Sequence, residues 1–361
     1  MRVMSKSWPQ LLSVAAISTT ALSAALIPAS YARDAESHYA IVQRTLDTHV
    51  LPHFAALEAT AAKLPDAVEQ VCRTGADGSR EELLSDFRNT VLAYAGVAYL
   101  RFGPLIEGSR RERLSFWPDP RGIMNRQLRQ LIAASDTAVL EAIPKQSAAV
   151  QGLPALEALI TDTEVPLGPA EPAAYRCKLA IAIARNVVQL TAEINNDWTK
   201  SGGWKDKMLR PGSDNDAYKE PRDAASELVK AMLTGFQLIA TTEIEPQVLK
   251  KRGFDGPYVR SNLPKLYFRA GINSLDAYYQ AMALEAFLDD DKDWVKNWTG
   301  GAWRTLRESD GAGGVVSGVP KTFAAPVRKV FDMLIQMRRI VVGEISPAAA
   351  LAVGFNELDG D

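Results

Sequence analysis

The most specific arrangement for a site lies in Gln151-Gly152-Leu153-Pro154-Ala155-Leu156-Glu157. Gly152 interrupts what precedes it, and Pro154 suits the first turn of a new helix, where its missing N–H is no loss. Glu157 follows one turn later on the same face. The stretch therefore presents a lone carboxylate from the start of a short apolar helix. Such a group can meet a ligand or simply favour the positive end of the helix dipole. His38, His49 and His53 are the three histidines, so imidazole chemistry has few carriers. His49 and His53 stand four apart with Glu58 beyond them, a spacing that can place two imidazoles on one helix face. The glutamate of a zinc-protease motif is missing between them and Pro52 distorts the turn, so they read as partly exposed structural residues.

Other stretches give less. Gly311 to Gly318 is glycine-rich, but no strand precedes it, and Lys321-Thr322 is misplaced for a phosphate-binding loop. Asp289, Asp290, Asp291 and Asp293 lack the spacing and glycine of a calcium loop and read as a solvated turn, as do Glu357, Asp359 and Asp361. No serine or cysteine nucleophile sits in a recognisable elbow or triad setting.

The chain begins like an export signal: Arg2 and Lys6, an apolar stretch from Leu11 to Ile27, and a small-x-small site at Ser30-Tyr31-Ala32. Residues 1–32 are therefore expected to be a cleaved signal peptide of the general route, giving a periplasmic protein. Cleavage after Ala32 would leave 329 residues with 39 basic and 43 acidic side chains. That balance gives no electrostatic reason to expect nucleic acid or anionic lipid as a partner. No later apolar run is long enough to span a membrane. In an oxidising compartment Cys72 and Cys177 are expected to form a disulfide, two buried thiols being the alternative.

The elements that must position these residues read as helices. Apolar residues recur at helical spacing from Ala35 to Cys72, with a kink at Pro52. Ser79 to Glu82 reads as a capping box opening a helix that runs to about Phe102. Shorter helices pass through Met124 to Leu131 and Asp136 to Ile143, and a long one runs from Ala173 to about Trp198. After a polar boundary at 201–218, three long helices are expected: Pro221 to about Ile244, Leu263 to Leu288 and Thr322 to Val342. The Lys250–Pro257 loop and a glycine-rich 299–320 region separate them. The fold class is all-α, with two helical-bundle domains at 33–205 and 206–361. A faint echo of Asp197–Trp204 in Asn297–Trp303 points to duplication.

Several segments in order resemble the imelysin-like family of exported helical proteins, which includes a peptidase and iron-regulated envelope proteins. They are Leu51-Pro52 through Cys72, Arg101-Phe102-Gly103-Pro104, Phe116-Trp117-Pro118-Asp119-Pro120, Gln151 to Glu157, Tyr175-Arg176-Cys177 and Arg269-Ala270-Gly271. Gly354-Phe355-Asn356 with Asp359-Gly360-Asp361 resembles the ending of one branch. The central stretch matches the family signature Gly-x-His-x-x-Glu except that Pro154 replaces the histidine. The resemblance implies two helical bundles with a ligand cleft between them, lined here by Trp117, Arg121, Gln151, Gly152, Pro154, Glu157 and Arg269. Glu157 would be its negative group and Arg269, Arg121 or both its positive one. It implies a small ligand, a metal complex or an envelope protein as partner, with a metal ion, iron or another, as candidate cofactor. Without the histidine the motif has no full ligand set, so binding linked to iron or cation uptake or to envelope homeostasis is expected ahead of the alternative, metallopeptidase activity.

Overall fold

The computed structural model describes residues 29–171, 173–245, 256–309, 324–351 and 353. The first 28 residues, the glycine-rich 311–318 stretch, most of the Lys250–Pro257 loop and the C-terminal acidic segment lie outside them. The described residues form helices, turns and loops, with no strand.

Helix α1 (Ala29–Thr45) begins ahead of the expected cut, which would leave it starting at Arg33. It passes through a π-helical turn, Leu46–Val50, into α2 (Leu51–Ala61), with Pro52 in the first turn of α2. The expected kink is thus accommodated by a widened turn, a common form of interrupted helix. Beside the proline, His53 Nδ1 lies 2.7 Å from the His49 carbonyl. Helix α3 (Leu64–Thr74) ends at Gly75 in the left-handed conformation.

Helix α4 (Asp77–Ala95) departs from expectation at both ends. Ala76 occupies the N-cap with extended backbone, so Ser79 and Glu82 fall inside the helix and the capping box is not used. At the other end the chain leaves the helix at Gly96 and reaches Phe102 through turns. Short helices follow: α5 (Arg110–Leu114), α6 (Ile123–Ala134), α7 (Ala138–Glu141) and α8 (Leu153–Ile160). Between α5 and α6 the Trp117–Pro118 peptide is cis, and Asp119 accepts the amides of Ile123 and Met124 at 2.9 and 2.8 Å.

The long α9 (Ala173–Thr199) lies where the periodicity places it, burying Leu179, Ile183, Val187, Leu190, Ile194 and Trp198 on one face. The boundary region contains a short helix, α10 (Trp204–Leu209). Helix α11 (Pro221–Leu238) opens with a capping box between Glu220 and Asp223 and ends in a second π turn, Ile239–Ile244. Then come α12 (Pro264–Met282), α13 (Asp293–Glu308) and α14 (Ala324–Ile340).

Helix α13 corrects the sequence reading, which placed a glycine-rich loop from 299. Gly300 and Gly301 weaken helix propensity, yet Val295, Thr299, Ala302, Trp303 and Leu306 form a buried stripe that outweighs them. The corresponding glycines of the first echo, Gly202 and Gly203, instead follow the end of α9, so the two echoed segments fold differently.

Helices α2, α3, α4 and α9 pack together, and α1, α11, α12, α13 and α14 form a second group. The first helix of the chain therefore packs with the later ones. The groups meet where α4 lies against α12, and their buried apolar side chains form one continuous cluster. Contact is close enough to dictate residue choice: a Cβ on Gly235 of α11 would fall 2.7 Å from Leu275 Cδ1 of α12. Cys72 and Cys177 are disulfide-bonded, joining the end of α3 to the start of α9 with Cα atoms 5.7 Å apart. No described helix is long and apolar enough to cross a membrane.

Candidate functional site at the seam between the helical groups

The motif stretch is positioned by backbone contact. Gly152 is extended (φ −125°, ψ −162°), so its conformation does not demand glycine, but its surroundings do. A Cβ there would lie 2.2 Å from the Leu114 carbonyl oxygen and 2.3 Å from that of Arg113, at the end of α5. Gln151 is buried and fully engaged. Its Oε1 accepts from Arg113 Nε (2.8 Å), its Nε2 donates to the Gln146 carbonyl (2.5 Å), and its own carbonyl accepts from Asn186 Nδ2 (2.9 Å). Gln151 thus ties α5, the loop before α8, and α9 together. Pro154 is buried in the first turn of α8.

Glu157, one turn on, is 5 % exposed. Its Oε1 accepts the Ser261 backbone N–H at 2.8 Å. Burial pushes its carboxyl above the ordinary range, while the Ser261 hydrogen bonds and the nearby Arg260 guanidinium pull the other way. The segment 256–263 thus lays a chain from the second half of the sequence over α8. Tyr258, in left-handed backbone, is buried beneath it, and its hydroxyl is 2.8 Å from Ser115 Oγ. Its ring packs against Phe87 and Tyr267.

Beyond Ser115 lies a small polar chamber of about 30 Å³, room for roughly a single water molecule or ion. Tyr94, Arg101, Arg111, Trp117, Glu243 and Tyr267 are among its walls. Burial pushes the Glu243 carboxyl up to about 8 and raises Tyr94 and Tyr267 further into the phenol form. Chemically the chamber offers hydroxyl donors, guanidinium groups and a carboxyl that is protonated near neutrality.

The residues expected to line a cleft lie on several elements. Trp117 is in the chamber wall, while Gln151, Gly152 and Pro154 form the buried start of α8. Glu157 faces Ser261. Arg121 is exposed on the loop before α6, and Arg269 is half-buried on α12. The positive group acting on Glu157 is Arg260, which pattern reading did not single out. Tyr94, Arg101, Arg111, Ser115, Glu243, Tyr258 and Tyr267 were missed as well. The bracketing of 258–261 by Gly256-Pro257 and Pro264 was the signal available for part of this set, because it marks a rigid crossing rather than a slack loop.

The histidines are elsewhere. His49 is buried, 2.8 Å from the Tyr99 hydroxyl and stacked on His53 at 3.9 Å, and burial followed by the field of His53 lowers its pKa to about 3. His38 bonds the Ala349 carbonyl at 2.8 Å. Among the described residues no three His, Cys, Asp or Glu side chains come together as metal donors. The motif does not fit a catalytic metal: Pro154 supplies no donor, and Glu157 is turned to a backbone amide.

An all-helical chain with a glycine–glutamate motif at the junction of two helical groups defines the class of protein. The Imelysin family model matches residues 50–308, and the chain belongs to that family. A search of curated proteins found no match. Among solved structures, an imelysin-like protein from Psychrobacter arcticum superposes with a TM-score of 0.67 at 18 % identity, covering 89 % of this chain and 98 % of its own. A protein from Parabacteroides distasonis, described as an iron-regulated protein A precursor, gives 0.61 at 11 % identity, covering 84 % and 93 %. At these identities the likeness is one of fold.

Proposed function

We propose that this chain is an exported, periplasmic ligand-binding protein of the imelysin family, linked to iron or cation uptake or to envelope homeostasis. Its ligand is held at the seam where the 150–166 and 258–267 segments meet. The observation that carries the reading is the state of the motif. The position of the family histidine is a buried proline, which supplies no side-chain donor, and the surviving carboxylate accepts the Ser261 amide. Polar and charged groups of both signs nonetheless converge there, as in sites that orient a ligand without reacting with it. The Parabacteroides neighbour, described as iron-regulated, supports the physiological setting.

Titration calorimetry with zinc and ferrous ions, on the natural protein and on Pro154→His, tests the role of the motif. The substitution restores a donor one turn from Glu157, so it is expected to gain affinity for a transition metal that the natural protein lacks. Equal, Glu157-dependent metal binding by both proteins would overturn the reading and move the site to a metal centre.

A further inference from the structure

Outside the seam, beyond Arg260 and Ser261, an open groove of about 850 Å³ runs between α4, the loop after α8 and the start of α12. We infer that this groove takes an amphiphilic organic anion, an apolar body carrying a carboxylate or similar acid group. The inference rests on the binding reading, whose Arg260-Ser261 wall the groove shares.

Two observations select that chemistry. The first is a pattern of apolar side chains left in water. Leu84 of α4 is 41 % exposed and Leu266 of α12 is 36 % exposed, and both line the groove with Ile160, Pro166 and Leu263. Single exposed leucines are ordinary, but leucines from different elements lining one concavity offer a surface that an apolar body would cover. The second is charge. Arg80 and Arg88 flank Leu84 on the same face of α4, at i and i+8, and Arg260 stands on the other wall. Among the described residues none of the three makes a direct ion pair, although Arg260 stands near enough to the buried Glu157 to act on its carboxyl. Arg80 donates to the Leu167 carbonyl, Arg88 to Ser85 Oγ (3.3 Å) and Arg260 to Asn125 Oδ1 (2.9 Å).

The acids of the groove leave this positive excess standing. Asp162 is consumed by Arg176 at 2.6 Å and by the amides of Glu164 and Val165, and these partners hold it below the usual carboxylate range despite its partial burial. Of the acids that line the groove Glu81 remains, and with the buried Glu157 behind Arg260 it leaves three guanidiniums in excess over two carboxyl groups. A cationic amphiphile would meet repulsion here and a neutral one would leave the guanidiniums unanswered. A small inorganic anion would leave the leucines in water. Guanidinium suits carboxylate because its planar fork can give two parallel hydrogen bonds. The volume is that of a pocket for a small organic molecule.

The test uses the full chain and dodecanoate below its micelle concentration, with dodecyltrimethylammonium and acetate as controls, read by calorimetry and thermal shift. Dodecanoate is expected to bind and raise the melting temperature, and neither control should. Single Arg→Gln changes at Arg80, Arg88 or Arg260 should each weaken dodecanoate binding about tenfold, in line with the strength of charge-assisted hydrogen bonds. Leu266→Asp should abolish binding. All four side chains reach solvent, so the melting temperature without probe should stay within a few degrees. Equal binding of the cationic amphiphile, or dodecanoate affinity unchanged in the triple Gln variant, would overturn the inference. A chain that ignores dodecanoate but binds another ligand through Glu157 refutes the anion class alone, whereas cleavage of protein substrates refutes the binding reading whatever the groove accepts.

Discussion

Two buried titratable groups make opposite demands on stability. Glu243 is held near 8 by burial against an ordinary value of 4.5, so between those values the native state keeps a proton that the unfolded chain gives up. Its contribution is present at low pH and is lost as pH rises through about 8. Glu243→Gln should remove that slope and gain up to a few kcal/mol relative to the natural protein on going from pH 5 to pH 8, at about 1.4 kcal/mol per pH unit. Urea denaturation at the two pH values measures this, and an unchanged difference between the proteins would contradict it. His49 acts in the other direction. Its folded value of about 3 lies below the ordinary 6.5, so the stability tied to its neutral form is present above 6.5 and is lost as pH falls toward 3. NMR should show no titration of its ring above pH 4, and a midpoint near 6.5 would place the ring in water. Both side chains carry chemistry that depends on burial, which is why the sequence did not distinguish them: Glu243 sits in an unremarked π turn, and His49, read as a partly exposed structural residue for want of a metal motif, makes a buried bond to Tyr99.

At the scale of elements, periodic patterns were readable and irregular ones were not. The long α9 and the start of α11 at Pro221 lie where the sequence reading placed them, whereas the capping box of Glu220 and Asp223 came from the structure. The false capping box at Ser79 and the hidden α13 show how local signals yield to packing: one start signal falls inside a helix, and two glycines are carried by a buried stripe. Gly152 was legible as a break, but the carbonyls of Arg113 and Leu114 that require it come from α5, which the sequence could not bring alongside. Gly152→Ala would drive a Cβ into backbone oxygens that have no side-chain freedom to yield. It should destabilise the protein by at least 2–4 kcal/mol, in the range of severe core defects, seen as a lowered urea midpoint, whereas an unchanged midpoint would mean that α5 can withdraw from the motif. The disulfide is an element-level staple closing a 105-residue separation. Replacing both cysteines by serine should cost about 2–5 kcal/mol, and thiol counting on denatured, unreduced protein should find no free thiol.

For the whole molecule, the all-helical fold and the family were legible because the motif segments are spread in order along the chain and the family model spans residues 50–308. The seam was not legible in the same detail. Its motif helix was in view, but its Tyr258, Arg260 and Ser261 come from a stretch with no periodicity, and its chamber draws on side chains scattered over α4, α5, the second π turn and α12. The proposed reading has a ligand held between two helical groups, with Pro154 at the place where a hydrolytic site would need a donor. The most direct measurement is therefore a cleavage assay: the pure full chain incubated with casein and with insulin, with and without added zinc, and the products read by mass spectrometry. The expected result is no cleavage above a buffer control under either condition. Chelator-sensitive cleavage that disappears in Glu157→Gln would contradict it and make the seam an active site.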